Sequence, residues 1–351
     1  MTRLTLAAAV AVLAGCGVGP SPGTELATGW SAQAETVAPG ADPGTASAAK
    51  ETQALTGTTV EAYAPILKGC DLSTALRGAP LPAGCSNNGP LRSSSLAWVR
   101  LDGVTMEDGS PVSAVALDGT RLTGLVNGAP VSGADFEKAR FLGVATTGAA
   151  VPLKAEHVER GHDHQEDVWR YELRYLTPKG DWKNLCEGGK EAVIVSGRWD
   201  AHQGVAGDGA KIADPTVFTI GCRRSAIEKC VNGGYLPWAE RGGISLDPYH
   251  QACVRMLRAD YCGDAISHTA PGRQVNLYDG LGIQRDDERW VSEAEWTAAG
   301  ASCLSTRNLT AADAPCLGAL GTPACGETPS FTGTTLIISE TPHAGGRDGH
   351  L

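Results

Sequence analysis

The sequence Trp169-Arg170-Tyr171-Glu172-Leu173-Arg174-Tyr175 alternates large apolar residues with charged ones. A period of two places the apolar side chains on one face of a β-strand, so we predict a strand with an aromatic face. A turn at 177–180 follows, and residues 181–186 are expected to return as the antiparallel partner. Residues 192–199 and 216–222 have the composition of two further strands, and together these segments predict a small antiparallel sheet.

Upstream of this sheet, residues 96–153 consist of short apolar segments separated by glycine-containing turns. The turn dipeptides are Asp102-Gly103, Asp108-Gly109, Asp118-Gly119 and Asn127-Gly128. Such dipeptides are typical of β-hairpins, and this N-terminal part is therefore expected to be rich in β-structure. Residues 134–143 also resemble two units of a pentapeptide repeat, which leaves a short β-solenoid as the alternative.

Two helices are predicted in the C-terminal half. Asp247 is a good N-cap, and Pro248 occupies the first turn, where its missing N–H is not needed. The residues that form one apolar stripe at helical spacing are Tyr249, Ala252, Cys253, Met256, Leu257 and Tyr261. A second short helix is expected from Ser292, because Ser292 and Glu295 have the spacing of a capping box.

The composition, with 45 Gly, 20 Pro and 5% aromatic residues, supplies few large side chains for a core. Disulfides are the expected compensation, each contributing about 2–4 kcal/mol. The predicted fold class is α+β, with small antiparallel β-sheets and two or three short helices cross-linked by disulfides, and with a β-rich N-terminal part. Residues 334–339 are expected to add a late edge strand.

The N-terminus has the layout of a lipoprotein signal: a basic start at 1–3, an apolar segment at 4–14 and the lipobox Leu13-Ala14-Gly15-Cys16. The apolar segment is shorter than the roughly 20 residues that span a bilayer. Cleavage before Cys16 would make it the lipid-bearing first residue of the mature chain, whereas a plain signal peptide cut elsewhere is the alternative. Gly17 favours the outer membrane, so we expect a lipid-anchored protein of the cell envelope.

After the predicted signal at 1–16, differences in composition divide the chain into four regions. Residues 17–55 are rich in Gly, Pro, Ala, Ser and Thr and predict a disordered tether, and residues 56–160 are the β-rich region. Residues 161–305 carry most of the Trp and Cys residues, and 306–351 form a tail. The net charge is −10 and the Lys and Arg residues are scattered, which argues against nucleic acid as a partner.

The chain has eleven Cys residues, and lipidation of Cys16 would leave an even number for disulfides. The candidates are Cys70, Cys85, Cys186, Cys222, Cys230, Cys253, Cys262, Cys303, Cys316 and Cys325. In an exported protein they predict about five disulfides. Two local pairs are expected, Cys70 with Cys85 and Cys316 with Cys325, the second of them in the tail.

Cys253 and Cys262 should not pair with each other, because nine residues of helix would separate them by ~13 Å along the axis. The candidate partners of both are Cys186, Cys222, Cys230 and Cys303, and the sequence does not rank them.

Residues 249–264 resemble the signature of the ADYC-domain family, which is named for Ala259-Asp260-Tyr261-Cys262. Further segments that resemble the family are 229–230, 234–238, Tyr278-Asp279, Gly282-Ile283 and Glu293-Ala294-Glu295-Trp296. The likeness covers residues 165–305. It implies an exported bacterial domain, often found on lipoproteins, for which no activity, cofactor or catalytic residue is established.

Two functions are compatible with these residues. A secreted hydrolase would use Cys262 with its sequence neighbours His250, Asp260, Asp264 and His268, since a thiolate nucleophile needs a base nearby. A disulfide is the commoner fate of a thiol after export, so a non-catalytic binding or structural module is the preferred prediction. No cofactor is expected, and the partners would be the membrane, through the lipid, and an envelope protein or glycan.

A metal site is a weaker hypothesis. His162 and His164, in the acidic, His-rich stretch 157–167, would share one face of a strand, although a solvated loop is the preferred interpretation. The Trp residues of 161–305 could line a glycan site. Because the chain has four Phe and three Met, we expect these Trp residues to form part of the core instead.

Overall fold

The computed structural model describes residues 60–61, 96–145, 148–162, 165–177, 179–186, 191–200, 202, 204–268, 274–286, 290–305, 324–326, 328–331 and 333–342. All of them belong to the unit Thr52–Leu351. The predicted signal with Cys16, the tether, and Cys70, Cys85 and Cys316 lie outside the described residues.

Strands are the main secondary structure of the described chain. The strands are β1 Val60–Glu61, β2 Leu96–Arg100, β3 Val112–Asp118, β4 Arg121–Val126, β5 Ala129–Ser132, β6 Arg140–Ala145, β7 Ala150–Arg160, β8 Trp169–Leu176, β9 Trp182–Asn184, β10 Ala192–Ser196, β11 Arg198–Trp199, β12 Lys211–Ile212, β13 Val217–Cys222, β14 Glu240–Arg241, β15 Ile244–Ser245, β16 Gln274–Asp279, β17 Trp290–Thr297, β18 Gly300–Leu304 and β19 Ile337–Pro342. The helices are α1 Ala226–Asn232 and α2 Asp247–Leu257, with a 3-10 turn at Gly133–Phe136. Within the described ranges, no helix is long and apolar enough to cross a membrane.

Six antiparallel strands close into a barrel in the order β10-β13-β2-β6-β7-β8. The pair formed by Ala192 and Tyr171 joins β10 to β8 and completes the ring, and β9 extends the sheet beyond β8. Tyr171, Leu173 and Tyr175 are buried in the barrel core. The predicted strand with an aromatic face is therefore confirmed, and that face becomes the inside of the barrel.

A second core lies between the outside of the barrel and a five-stranded antiparallel sheet of order β1-β16-β19-β17-β18. Strand β10 is buried on both faces, because Ala192 belongs to the barrel core whereas Val193 and Val195 belong to the second core. Residues of α1 and α2 fill the second core, and the disulfide between Cys230 and Cys253 joins the two helices.

The hairpins predicted in the N-terminal part include the three-stranded sheet β3-β4-β5. Asn127 and Gly128 have positive φ angles of +50° and +81°, as the two-residue turn between β4 and β5 requires. The solenoid alternative is wrong, because residues 134–143 form the 3-10 turn and the start of β6. The Tyr171 hydroxyl fastens the small sheet to the barrel by donating to the Thr120 carbonyl at 2.7 Å.

The α+β prediction is wrong, because strands make up 47% of the structure, helices 11%, and the main element is a closed barrel. The helix predicted from Ser292 is strand β17, in which Ser292 pairs with Glu340 of β19. A helix cap contributes about 0.5–2 kcal/mol. Strand β17 is paired on both sides and buries Trp296 completely, so tertiary pairing overrides the local signal.

Two smaller corrections concern element positions. The late strand expected at an edge is β19, which lies between β16 and β17 in the interior of its sheet. Both neighbours are distant in sequence, so no local pattern could show that they flank it. Asp247 is the first residue of α2 rather than its N-cap, a position that Leu246 occupies.

In three disulfides both Cys residues lie in the described ranges: Cys186 with Cys222, Cys230 with Cys253, and Cys303 with Cys325. Cys262 is disulfide-bonded as well. The pair predicted between Cys316 and Cys325 is therefore wrong. A parallel bridge between Leu304 and Ala324 carries Cys325 to the edge of β18, beside Cys303.

Candidate functional site

The chain turns directly after α2, where Ala259 adopts a positive φ of +50°. Ala259, Asp260, Tyr261 and Cys262 are all buried. Buried polar groups are costly unless they are hydrogen-bonded, so the partners of these four residues decide what the loop can do.

Asp260 is the polar centre of this loop. Its carboxylate forms an ion pair with Arg255 of α2, and the two side chains are 0% and 1% exposed. The same carboxylate accepts hydrogen bonds from the backbone N–H groups of Asp264 at 2.9 Å and Ala265 at 3.1 Å. Burial raises the pKa of Asp260, and the guanidinium groups of Arg255 and Arg258 oppose that shift. The carboxylate is thus occupied by internal partners.

Tyr261 connects the loop to the five-stranded sheet. Its ring stacks on Trp296 with 5.2 Å between centroids, and its hydroxyl donates to Glu293 at 3.2 Å. Ser339 donates to the other oxygen of Glu293 at 3.2 Å and accepts a hydrogen bond from the Trp296 indole at 2.9 Å. These contacts link the loop after α2 with β17 and β19 in one buried polar and aromatic cluster.

Cys262 lies with Asp264 and His268 in a group whose ligand atoms are within 4.8 Å of one another. His268 is half-buried, and its ring centroid is 6.2 Å from that of Tyr261. The tertiary structure therefore brings together three residues of the hydrolase hypothesis. The sulfur of Cys262 is in a disulfide, however, and a disulfide sulfur is not a thiolate nucleophile.

His250, the other histidine of that hypothesis, contacts a different part of the core. It is fully buried, packs against Trp199 with 5.9 Å between ring centroids, and donates from Nε2 to the Ile227 carbonyl at 3.3 Å. Burial lowers the pKa of His250 to about 3, so the ring is neutral at physiological pH. It is a core residue that helps to pack α2 against α1.

A family model for the ADYC domain matches residues 133–310. The chain belongs to the ADYC-domain family. No curated protein and no solved structure matches the chain. The match is longer at both ends than the resemblance at 165–305. Three strands that complete the sheets of the ADYC domain still lie outside the match: β2 in the barrel, and β1 and β19 in the five-stranded sheet.

A further buried carboxylate of the ADYC domain is Asp279, whose role the sequence interpretation missed. Asp279 ends β16 and accepts hydrogen bonds from the Tyr235 hydroxyl at 2.8 Å and from the backbone N–H groups of Leu281, Ile283 and Gln284 at 2.8–3.1 Å. Burial and the Asp279 carboxylate raise the pKa of Tyr235 well above its usual range. An Asp before a glycine-containing turn is the signal that could have predicted this loop.

The structure also shows where the residues of the metal-site and glycan-site hypotheses lie. His162 is exposed in the segment between β7 and β8, and His164 lies outside the described residues. Among the described residues, the groups with metal-ligand spacing are Cys262 with Asp264 and His268, and Glu295 with Cys303 and Cys325. All three sulfurs are in disulfides and offer no thiolate. Trp199 and Trp296 are fully buried, whereas Trp169, Trp182, Trp238 and Trp290 are half-buried.

Proposed function

We propose that this chain is an exported, lipid-anchored protein of the cell envelope, in which the ADYC domain is a non-catalytic binding or structural module. The observation that carries the proposal is the state of the thiols: each of the seven Cys residues in the described ranges is disulfide-bonded. Stable disulfides form in oxidising compartments, which agrees with the lipobox that ends at Cys16.

The signature supports a structural role for its own residues. Asp260 is satisfied by Arg255 and by two backbone N–H groups, and Tyr261 by Trp296 and Glu293. No observation favours the hydrolase alternative, because its proposed nucleophile is oxidised. The partners in this proposal are the membrane, through the lipid, and an envelope protein or glycan, with the outer membrane as the location.

Membrane fractionation and fatty-acid labelling test the anchor. We expect wild-type protein in the membrane fraction with label, and Cys16→Ala protein in the soluble fraction without label. Ser21→Ala, a neutral change in the same segment, is the matched control. A Cys16→Ala protein that still sediments with membranes and still carries label would contradict the proposal.

A further inference from the structure

The loop after the ADYC signature places a histidine beside a disulfide sulfur. The Cys262 sulfur, a carboxylate oxygen of Asp264 and a ring nitrogen of His268 lie within 4.8 Å of one another. The His268 backbone N–H donates to the Arg258 carbonyl at 3.1 Å, and its ring lies 6.2 Å from that of Tyr261 between centroids. The Nε2 atom of His268 is buried and has no hydrogen-bond partner among the described residues. His268 is therefore held near the sulfur with one ring nitrogen uncommitted.

The charged residues of this loop leave His268 as the additional cation near Cys262. Asp260 forms its ion pair with Arg255. Arg258, which is also buried, donates to a backbone carbonyl of the same loop. Two arginines thus balance the two aspartates, Asp260 and Asp264, and a protonated His268 adds one positive charge. A cation close to a cysteine sulfur favours the thiolate form.

The disulfide between Cys303 and Cys325 has the opposite environment. A carboxylate oxygen of Glu295 lies within 4.8 Å of both sulfurs, and the group contains no histidine. A carboxylate disfavours negative charge on a neighbouring sulfur. Of the sulfurs in the part of the chain that the structure describes, Cys262 is therefore the one with a histidine at this distance.

The loops around the cluster reach the protein surface. The Gly204 N–H donates to the Asp264 carbonyl at 2.9 Å, which joins the segment 204–209 to the loop after the signature. Next to this contact, Val205 is 67% exposed and Ile266 is 39% exposed. Cys262 itself is buried, so a reductant would have to attack the other sulfur of the bond, with Cys262 as the leaving group.

We propose that the disulfide of Cys262 is a redox-exchangeable bond of the ADYC domain, which an external dithiol opens with Cys262 as the leaving thiolate and His268 as the group that stabilises it. A thiolate of the dithiol attacks the sulfur bonded to Cys262, and the electron pair of the broken bond passes to the Cys262 sulfur beside the His268 imidazolium. The imidazolium then donates a proton to this sulfur.

The second thiol of the dithiol completes the exchange. It attacks the mixed disulfide and releases the other cysteine of the protein, which takes up a proton. The protein disulfide is thereby reduced to two thiols, and the dithiol is oxidised to a disulfide. This inference goes beyond the proposed function and does not depend on the lipid anchor.

Partial reduction of the whole oxidised protein with dithiothreitol tests the proposal. Samples at pH 6, where histidine side chains are mainly protonated, are quenched with N-ethylmaleimide, and peptide mapping gives the opening rate of each disulfide. All bonds meet the same reductant, so the ratio of their rates reports their environments. We expect the Cys262 bond to open first, about tenfold faster than the bond between Cys303 and Cys325. Equal rates, or a faster opening of the second bond, would overturn the proposal.

His268→Gln removes the cation and should slow the opening of the Cys262 bond by about threefold to tenfold, with the rates of the other disulfides unchanged. His162→Gln, at an exposed position, is the matched control and should behave as wild type. An unchanged Cys262 rate in His268→Gln, or equal slowing of all disulfides, would contradict the assigned role. The wild-type order of opening tests the proposal even where His268→Gln does not fold.

Discussion

A Cβ atom placed on Gly263 would lie 1.8 Å from the carbonyl oxygen of Ala299. The backbone at the end of the ADYC signature therefore contacts the turn between β17 and β18 directly. Gly300 completes the contact, since a Cβ on it would lie 2.8 Å from the Gly263 nitrogen. Tyr261 adds a backbone hydrogen bond, in which its carbonyl accepts from Ala301 at 3.0 Å. The signature loop thus docks on the sheet through main chain as well as through side chains.

Gly263→Ala should lower the free energy of unfolding by about 2–5 kcal/mol, the sum of left-handed strain and overpacking. Urea denaturation measures the loss. Gly282→Ala is the control. The φ of Gly282 is +67°, close to the +62° of Gly263, but a Cβ atom on Gly282 would have open space around it. The control should lose only the strain, about 1–2 kcal/mol. Equal losses in the two variants would contradict the backbone contact.

Asp260→Ala should destabilise the fold by about 3–5 kcal/mol, because it leaves the buried Arg255 guanidinium without its counter-charge. The double variant Arg255→Met, Asp260→Ala should lose less than the sum of the single variants, which a double-mutant cycle measures. Asp102→Ala removes one partner of the exposed ion pair with Arg100 and should change stability by less than about 1 kcal/mol. Additive losses would show that Arg255 and Asp260 do not support each other.

Removing the bond between α1 and α2 with Cys230→Ala and Cys253→Ala should cost about 3 kcal/mol, as expected for a closed loop of this length. The control pair Cys303→Ala and Cys325→Ala opens a loop of nearly equal length, with a sequence separation of 22 against 23. Chain entropy alone predicts similar losses for the two pairs. An unchanged urea midpoint for the first pair would refute its role in holding α1 and α2 together.

The lowered pKa of the buried His250 side chain predicts that the protein loses stability in acid. Its folded-state pKa is about 3, whereas the unfolded value is near 6.5, so the unfolded chain binds the proton first as pH falls. The free energy of unfolding should be level above about pH 6.5 and then decrease by up to about 1.4 kcal/mol per pH unit. His250→Gln should flatten this decrease, whereas His162→Gln, at an exposed position, should retain it. A His250→Gln protein with the wild-type slope would contradict the assignment.

Several elements of the fold are local consequences of the sequence. The alternation of apolar and charged residues at 169–175 is sufficient to predict β8. The Asn127-Gly128 dipeptide predicts the turn after β4, and the apolar stripe after Pro248 predicts α2. Each of these signals lies within one element, where side-chain spacing and backbone preference act between near neighbours.

The incorrect predictions concern pairing between distant segments. Ser292 has a helix-cap signal, but it lies in β17, whose partner β19 is some 40 residues further along the chain. Cys325 has Cys316 as its nearest thiol in sequence, yet the bridge at Leu304 places it beside Cys303. Local spacing carries no information about such contacts.

The sequence alone is sufficient to predict strands, turns, one helix, an oxidised set of thiols and the resemblance to the ADYC signature. Only the tertiary structure decides that six strands close into a barrel, and that Asp260 meets Arg255 while His250 does not join Cys262. The physical reason is that element formation depends on periodicity over a few residues. Closure and site assembly depend on long-range pairing, such as Ala192 with Tyr171, whose free energy comes from packing and hydrogen bonds between segments far apart in the chain.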